Sequence, residues 1–179
     1  MFLTITIHMK RITIALLILL SISCKKQNTD KWDSIDFYRI SKKTEQFFFD
    51  TINTSKINEE LEELLIGDSS FILNDSVIIR LNKNYLKYTL DSESMTELSK
   101  FFLRYQNLTQ EASFMLSTTI CAPIYRDILV FKKNNKIVGM AKICFDCSQN
   151  YLLFENHILK NTPLEYPKLE EYLNQLSRH

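Results

Sequence analysis

The stretch "RDILVFKKNNKIVGMAKICF", residues 126–145, constrains the fold more than any other part of the chain. Two apolar runs flank Asn134-Asn135, and asparagine tolerates the positive φ that a two-residue hairpin turn demands. The reading is a β-hairpin, and hence an antiparallel sheet. Pairing across that turn matches Lys133 with Lys136. Continued along both strands, it sets Cys121 opposite Ser148, one place from Cys147, and Cys144 opposite Tyr125.

Further strands follow from the same kind of pattern. "IDFYRI" (35–40) reads as an opening strand, and "TEQFFFDTI" (44–52) is open between a buried strand and a helix. "SSFIL", "SVIIRL" and "YLKYTL" are separated by Asn74-Asp75 and by Asn82-Lys83-Asn84, so they read as a three-stranded meander. In the third run Leu86, Tyr88 and Leu90 alternate with Lys87 and Thr89, giving one buried and one wet face. "EASFMLSTT" (111–119) and "NYLLFENHIL" (150–159) each read as a further strand.

Helical periodicity appears in three places. In "NEELEELLIG" (58–67), Ile57, Leu61, Leu64 and Leu65 form the stripe, with Asn58 as N-cap and Gly67 past the end. Its glutamates read as a solvated face that complements the helix dipole. In "DSESMTELSKFFLRYQN" (91–107), Met95, Leu98, Phe102 and Tyr105 share a side, and Ser94 with Glu97 has capping-box spacing. In "PKLEEYLNQL" (167–176), Leu169, Tyr172, Leu173 and Leu176 share a face, with Pro167 suited to the first turn. The expected fold is α+β: one antiparallel sheet of six or seven strands packed by two or three helices.

With 179 residues there is room for one domain. Twelve Phe and eight Tyr indicate a core rich in aromatic packing. The formal net charge is +1, which points to no nucleic-acid partner. Two glycines leave no phosphate-binding loop, and there is no G-x-S-x-G or H-E-x-x-H. No pair of carboxylates is placed for acid–base work by sequence alone, so nothing requires an enzyme. No cofactor is expected.

The N-terminus is the most specific signal. "MKRITIALLILLSISCKK" (9–26) has a basic Lys10-Arg11 segment, an uncharged run from Ile12 to Ser23, and Cys24 after a small residue. That is the layout of a secretory signal peptide, with an apolar run too short to span a bilayer. "SISC" (21–24) resembles the lipobox of bacterial lipoproteins, with Ser21 where leucine is usual. The resemblance implies cleavage before Cys24, which would then carry a diacylglyceryl thioether and an N-acyl chain. It further implies a partner in the lipid membrane and a place in the cell envelope, on the inner or outer membrane facing the periplasm or at the cell surface. The organisation expected is a signal peptide at 1–23, a lipidated tether at 24–31 and one domain at 32–179. "MFLTITIH" precedes the basic segment awkwardly, and a start at Met9 gives the more conventional leader.

Three cysteines remain: Cys121, Cys144 and Cys147. In an oxidising compartment the default is a disulfide. The hairpin geometry brings Cys121 near the Cys144-x-x-Cys147 pair, so Cys121 is expected to bond Cys147, with Cys144 as the alternative partner. Direct Cys144–Cys147 pairing is poorer, because in an extended strand those residues lie too far apart unless the chain turns. Two other readings stay open. One is thiol-redox chemistry, opposed by Asp146 between the cysteines and by the lack of a helix after them. The other is a Cys₃His metal site from Cys121, Cys144, Cys147 and His157. The run from Cys121 to Cys147 also resembles small exported bacterial proteins whose hairpin ends in Cys-Phe-x-Cys, a likeness that carries no activity. The chain is therefore expected to be an exported lipoprotein with a non-catalytic binding or accessory domain for an unspecified protein or small-molecule partner. The rival is a thiol-redox or metal-handling protein.

Overall fold

The computed structural model describes residues 32–51, 59–67, 73, 75–105, 121–154 and 157–178. They form an α+β fold on a single six-stranded sheet, β1 (Ser34–Ile40), β2 (Tyr85–Thr89), β3 (Asp127–Lys133), β4 (Lys136–Cys144), β5 (Gln149–Phe154) and β6 (His157–Lys160). The strand order is β2-β1-β3-β4-β5-β6 and every pairing is antiparallel. Five helices accompany it: α1 (Lys42–Thr51), α2 (Glu59–Leu65), α3 (Asp75–Asn84), α4 (Ser92–Phe102) and α5 (Tyr166–Leu176). A 3-10 turn, Leu103–Tyr105, extends α4.

The sheet is covered on both faces. Tyr38, Ile128, Val130, Met140, Cys144 and Tyr151 pack with Phe48 of α1, Leu61, Leu64 and Leu65 of α2, and Val77 and Leu81 of α3. On the other face, Phe37, Leu129, Phe131, Ala141, Leu152 and Phe154 pack with Leu98 and Phe102 of α4 and with Leu169 and Leu173 of α5. Successive strand residues point to opposite faces. A strand dry on both sides must therefore be apolar at consecutive positions, which is why "DILVF" and "NYLLF" show no alternation.

The hairpin forms at Asn134-Asn135, whose φ values are 51° and 62°, the signature of a type I′ turn. Lys133 does pair with Lys136, but a bulge between Phe131 and Lys132 shifts the register, so that Phe131 faces Gly139 and Asp127 faces Ile143. The simple extrapolation is thus one residue out beyond Val138. Gly139 is needed there for space: a Cβ would lie 2.6 Å from the Phe154 ring. That ring belongs to an aromatic cluster centred on Phe131, with Trp32 at 4.4 Å, Phe102 at 5.3 Å and Phe154 at 5.8 Å.

Four local expectations are corrected. "SVIIRL" is not a strand but most of α3, with Val77, Leu81 and Asn84 buried along one side and Asn82-Lys83-Asn84 as its last turn. Burial of that stripe against α2 outweighs the β preference of Val and Ile. In β2 the buried residue is Tyr85, while Leu86 is 51% exposed on the opposite face of an edge strand. "NYLLFENHIL" is two strands, β5 and β6, rather than one. The N-cap of α4 is Asp91, whose carboxylate accepts from the Ser94 amide at 2.7 Å, and Ser94 itself lies inside the helix. The open segment around "TEQFFFD" is helix α1, which buries Phe48 and leaves Phe47 and Phe49 exposed. The proposed N-cap Asn58, the strand at 111–119, all of "SSFIL" except Leu73, and the segment before Trp32 lie outside the described residues.

The α2 glutamates are not merely solvated. Glu63 pairs with Arg80 at 2.6 Å and Glu60 with Lys83 at 3.1 Å, tying α2 to α3. Gly67 follows α2 because a Cβ there would lie 2.6 Å from the Glu63 carbonyl oxygen. Lys142, fully buried in mid-strand β4, donates to the carbonyls of Glu63 at 3.1 Å and Gly67 at 2.7 Å. Its ammonium lies 4.6 Å from the centre of the Tyr125 ring. One side chain thus holds the C-terminal end of α2 on the sheet. Lys142→Met keeps the stem but leaves buried carbonyls without that donor. It should destabilise the domain by about 1–3 kcal/mol, read as a lower urea midpoint with an unchanged slope.

Candidate functional site

One end of the sheet, where β1 and β4 finish and β3 begins, carries both the cysteines and a charged cleft. The structure joins Cys121 to Cys147, with Cα atoms 5.8 Å apart, and leaves Cys144 free and buried. Two local features make this possible. Residues 145–148 form a tight turn closed by the Ser148 amide on the Phe145 carbonyl at 3.1 Å, with Ser148 at φ 49°. The turn swings Cys147 out of the strand line, toward Cys121 in the irregular run before β3. The Gln149 side chain meets the Cys121 carbonyl there at 3.5 Å.

The other cysteine readings fare differently. Cys144 lies in the core shared with α1–α3, at 1% exposure. His157 lies at the opposite end of β5, with its ring against Phe154 and its Nε2 at 3.2 Å from the Tyr105 carbonyl. The Cys₃His set is therefore not brought together. Among the described residues no cluster of His, Cys, Asp and Glu is arranged to hold a metal ion. A redox thiol must be accessible, and here two thiols are joined and the third is enclosed.

Beside the disulfide is a cleft of about 220 Å³, bounded by Arg39, Glu45, Arg126, Asp127, Asp146 and Glu170, with Ile124 and Phe145 as apolar wall. Each side chain is delivered by a different element: Arg39 by the end of β1, Glu45 by the first turn of α1, Asp127 by the start of β3, Asp146 by the β4–β5 turn and Glu170 by α5. Arg126 bonds both Glu45 and Asp146. It therefore clasps α1 to the turn that carries Cys147. Arg39 donates from Nε to Asp127 at 2.6 Å, and through its other guanidinium nitrogen to Asn174 at 2.8 Å and Ser177 at 2.7 Å.

Asp127 is buried, and burial holds its carboxyl above the usual aspartate range, against the opposing pull of Arg39. Burial and the Asp127 charge push the nearby Tyr85 hydroxyl up as well. That hydroxyl donates to the Tyr125 carbonyl at 3.1 Å. The cleft offers both signs of charge on rigid elements around an apolar wall. This suits a small polar ligand or a charged loop of a partner.

Of these cleft residues only Asp146 was singled out from the sequence, and then for its effect on the cysteines rather than for a cleft. A signal existed for one: Asp127 is a charge at the start of an apolar strand, and a charge there must find a partner. The partners themselves come from distant segments. Among the described residues, no helix is long and apolar enough to cross a membrane. Comparison with family models, with curated proteins and with solved structures finds no match for this chain.

Two measurements test this end of the sheet. Cys121→Ser opens a loop with a sequence separation of 26 residues. The loop-entropy relation gives roughly 3 to 4 kcal/mol for the staple. That corresponds to a fall in Tm of about 10 °C for a domain of this size. Reduction of the wild type should reproduce it. The second concerns Asp127, whose folded carboxyl titrates above its unfolded value. Between those two values the folded state binds more protons than the unfolded one, so this group's contribution falls as pH rises through the window. Urea titrations should therefore show wild type losing stability relative to Asp127→Asn as pH rises above the ordinary aspartate value of 3.8. A difference independent of pH would contradict the assignment.

Proposed function

We propose that this protein is an exported lipoprotein, anchored through acylated Cys24, whose folded domain binds a partner and does not catalyse a reaction. The observation that supports this most is the run "MKRITIALLILLSISC" (9–24), with its basic start, uncharged stretch and lipobox-like end. More than one acyl chain at roughly 0.8 kcal/mol per buried CH₂ makes a stable anchor. A disulfide between Cys121 and Cys147 fits an oxidising compartment, where such bonds persist.

The cleft bounded by Arg39, Arg126, Asp127 and Glu170 is the binding site in this reading. It lies at the end of the sheet where β1 finishes, whereas the tether enters at the end where β1 begins. The seven residues of β1 alone separate the two ends by about 20 Å. The cleft and the point where the chain enters the fold are therefore at opposite ends of β1. No second reading is drawn from the thiols, because the only unpaired one among the described residues is buried.

The anchor is tested by metabolic labelling with palmitate. Wild type should take up the label and fractionate with membranes, and Cys24→Ala should take up none and either leave the membrane or remain as an uncleaved precursor. Absence of label in wild type, with identical fractionation of the two proteins, would sink the reading.

A further inference from the structure

Resting on the proposed lipid anchor, we infer that the β3–β4 hairpin tip is a docking surface for anionic lipid headgroups, with Lys133 and Lys136 as its contacts. The argument begins with where the chain enters the fold. Trp32 is the first described residue, and it is fixed: its indole nitrogen donates to Ser99 at 2.9 Å and its ring packs on Phe131. Asp33, next in line, is tied to the hairpin itself. Its amide donates to the Lys132 carbonyl at 2.8 Å, and its carboxylate accepts from the Asn134 amide at 2.6 Å. The entry point of the tether and the tip of the hairpin are thus one rigid unit.

The tether is short. Lys25 to Lys31 is seven residues, which span about 25 Å when fully extended and about 15 Å as a flexible coil. These spans are roughly one and a half to three Debye lengths, each ~8–10 Å at physiological salt. The tether therefore does not hold the tip in the headgroup field but lets it fold down within reach, where the attraction acts.

The tip carries the matching charge. Lys133 and Lys136 flank the type I′ turn, are exposed, and make no ion pair among the described residues. Lys132 is different: it is held on Asp36 at 2.5 Å, and Lys87 meets the same carboxylate at 3.0 Å. Among the described residues, Asp33 and Asp91 near this end are bonded to backbone amides, Asp33 to Asn134 and Asp91 to Ser94. A lysine close to an anionic leaflet contributes roughly a fivefold preference. Two are far too few to bind a free domain, but enough to orient one that is already tethered.

The test uses the acylated protein purified from membranes of its host and added to preformed phosphatidylcholine vesicles, with or without phosphatidylglycerol. Exposed amines are acetylated and the sites mapped by mass spectrometry. Lys133 and Lys136 should react about tenfold more slowly on the phosphatidylglycerol vesicles, and the protection should fade at high salt as screening sets in. Lys43, exposed on α1 beyond the other end of β1, should react alike on both vesicles. Equal reactivity of the hairpin lysines on the two vesicle types overturns the docking surface. So does equal protection on neutral vesicles, which would mean simple burial at the interface. The same spectra report the acyl mass on the Cys24 peptide, so a protein that is acylated yet unprotected refutes the docking surface alone. An unacylated Cys24 refutes the anchor, and the docking surface with it.

Discussion

Burial of the sheet on both faces is the constraint from which most of this structure follows. An antiparallel sheet commonly keeps one face wet, but here α1–α3 cover one side and α4 with α5 the other. The central strands therefore have almost no solvent-facing position, and β5 is buried along its whole length. Every polar group that the sequence places in these strands must find its partners inside the protein.

Three residues show how that obligation shapes the fold. Lys142 in β4 meets it with the carbonyls that end α2, fixing that helix on the sheet. Asp127 in β3 meets it with Arg39 of the neighbouring strand, and so forms the floor of the cleft. Asn150 in β5 donates to the Thr162 carbonyl at 2.8 Å and to the Tyr166 hydroxyl at 2.5 Å, while its own oxygen accepts from the Thr162 hydroxyl at 2.8 Å. It fastens the connection between β6 and α5. The Tyr166 hydroxyl, half enclosed there, is pushed up to about 12 by burial. In the first and third cases the buried polar group fastens one end of a helix, and in the second it ties two neighbouring strands together.

The two ends of the sheet divide the work. At one end the aromatic cluster around Phe131 and the Asp33–hairpin bonds hold the point where the chain enters. At the other, the disulfide and the Arg126 clasp close the β4–β5 turn against the run before β3 and against α1. A covalent staple beside the cleft fits that division, since it limits the loop excursions that would otherwise blur a shallow site.

The sequence by itself determined the hairpin, the three helices with clear 3.6-residue periodicity and the α+β class, because these are local patterns: turn chemistry, caps and the spacing of apolar residues. Cys121 could be set near Cys147 because a hairpin carries register along with it. Only the tertiary structure decided that "SVIIRL" is helical, since Val77 and Leu81 bury in the core that α2 shares and that neighbour is not visible in the segment. The bulge between Phe131 and Lys132 that displaces the register by one residue likewise leaves no mark in the turn chemistry. The cleft was beyond local reading altogether. Arg39, Glu45, the adjacent pair Arg126 and Asp127, Asp146 and Glu170 come from five separate stretches of chain, and a charge pattern becomes a site only when the strand order brings those stretches to the same end of the sheet.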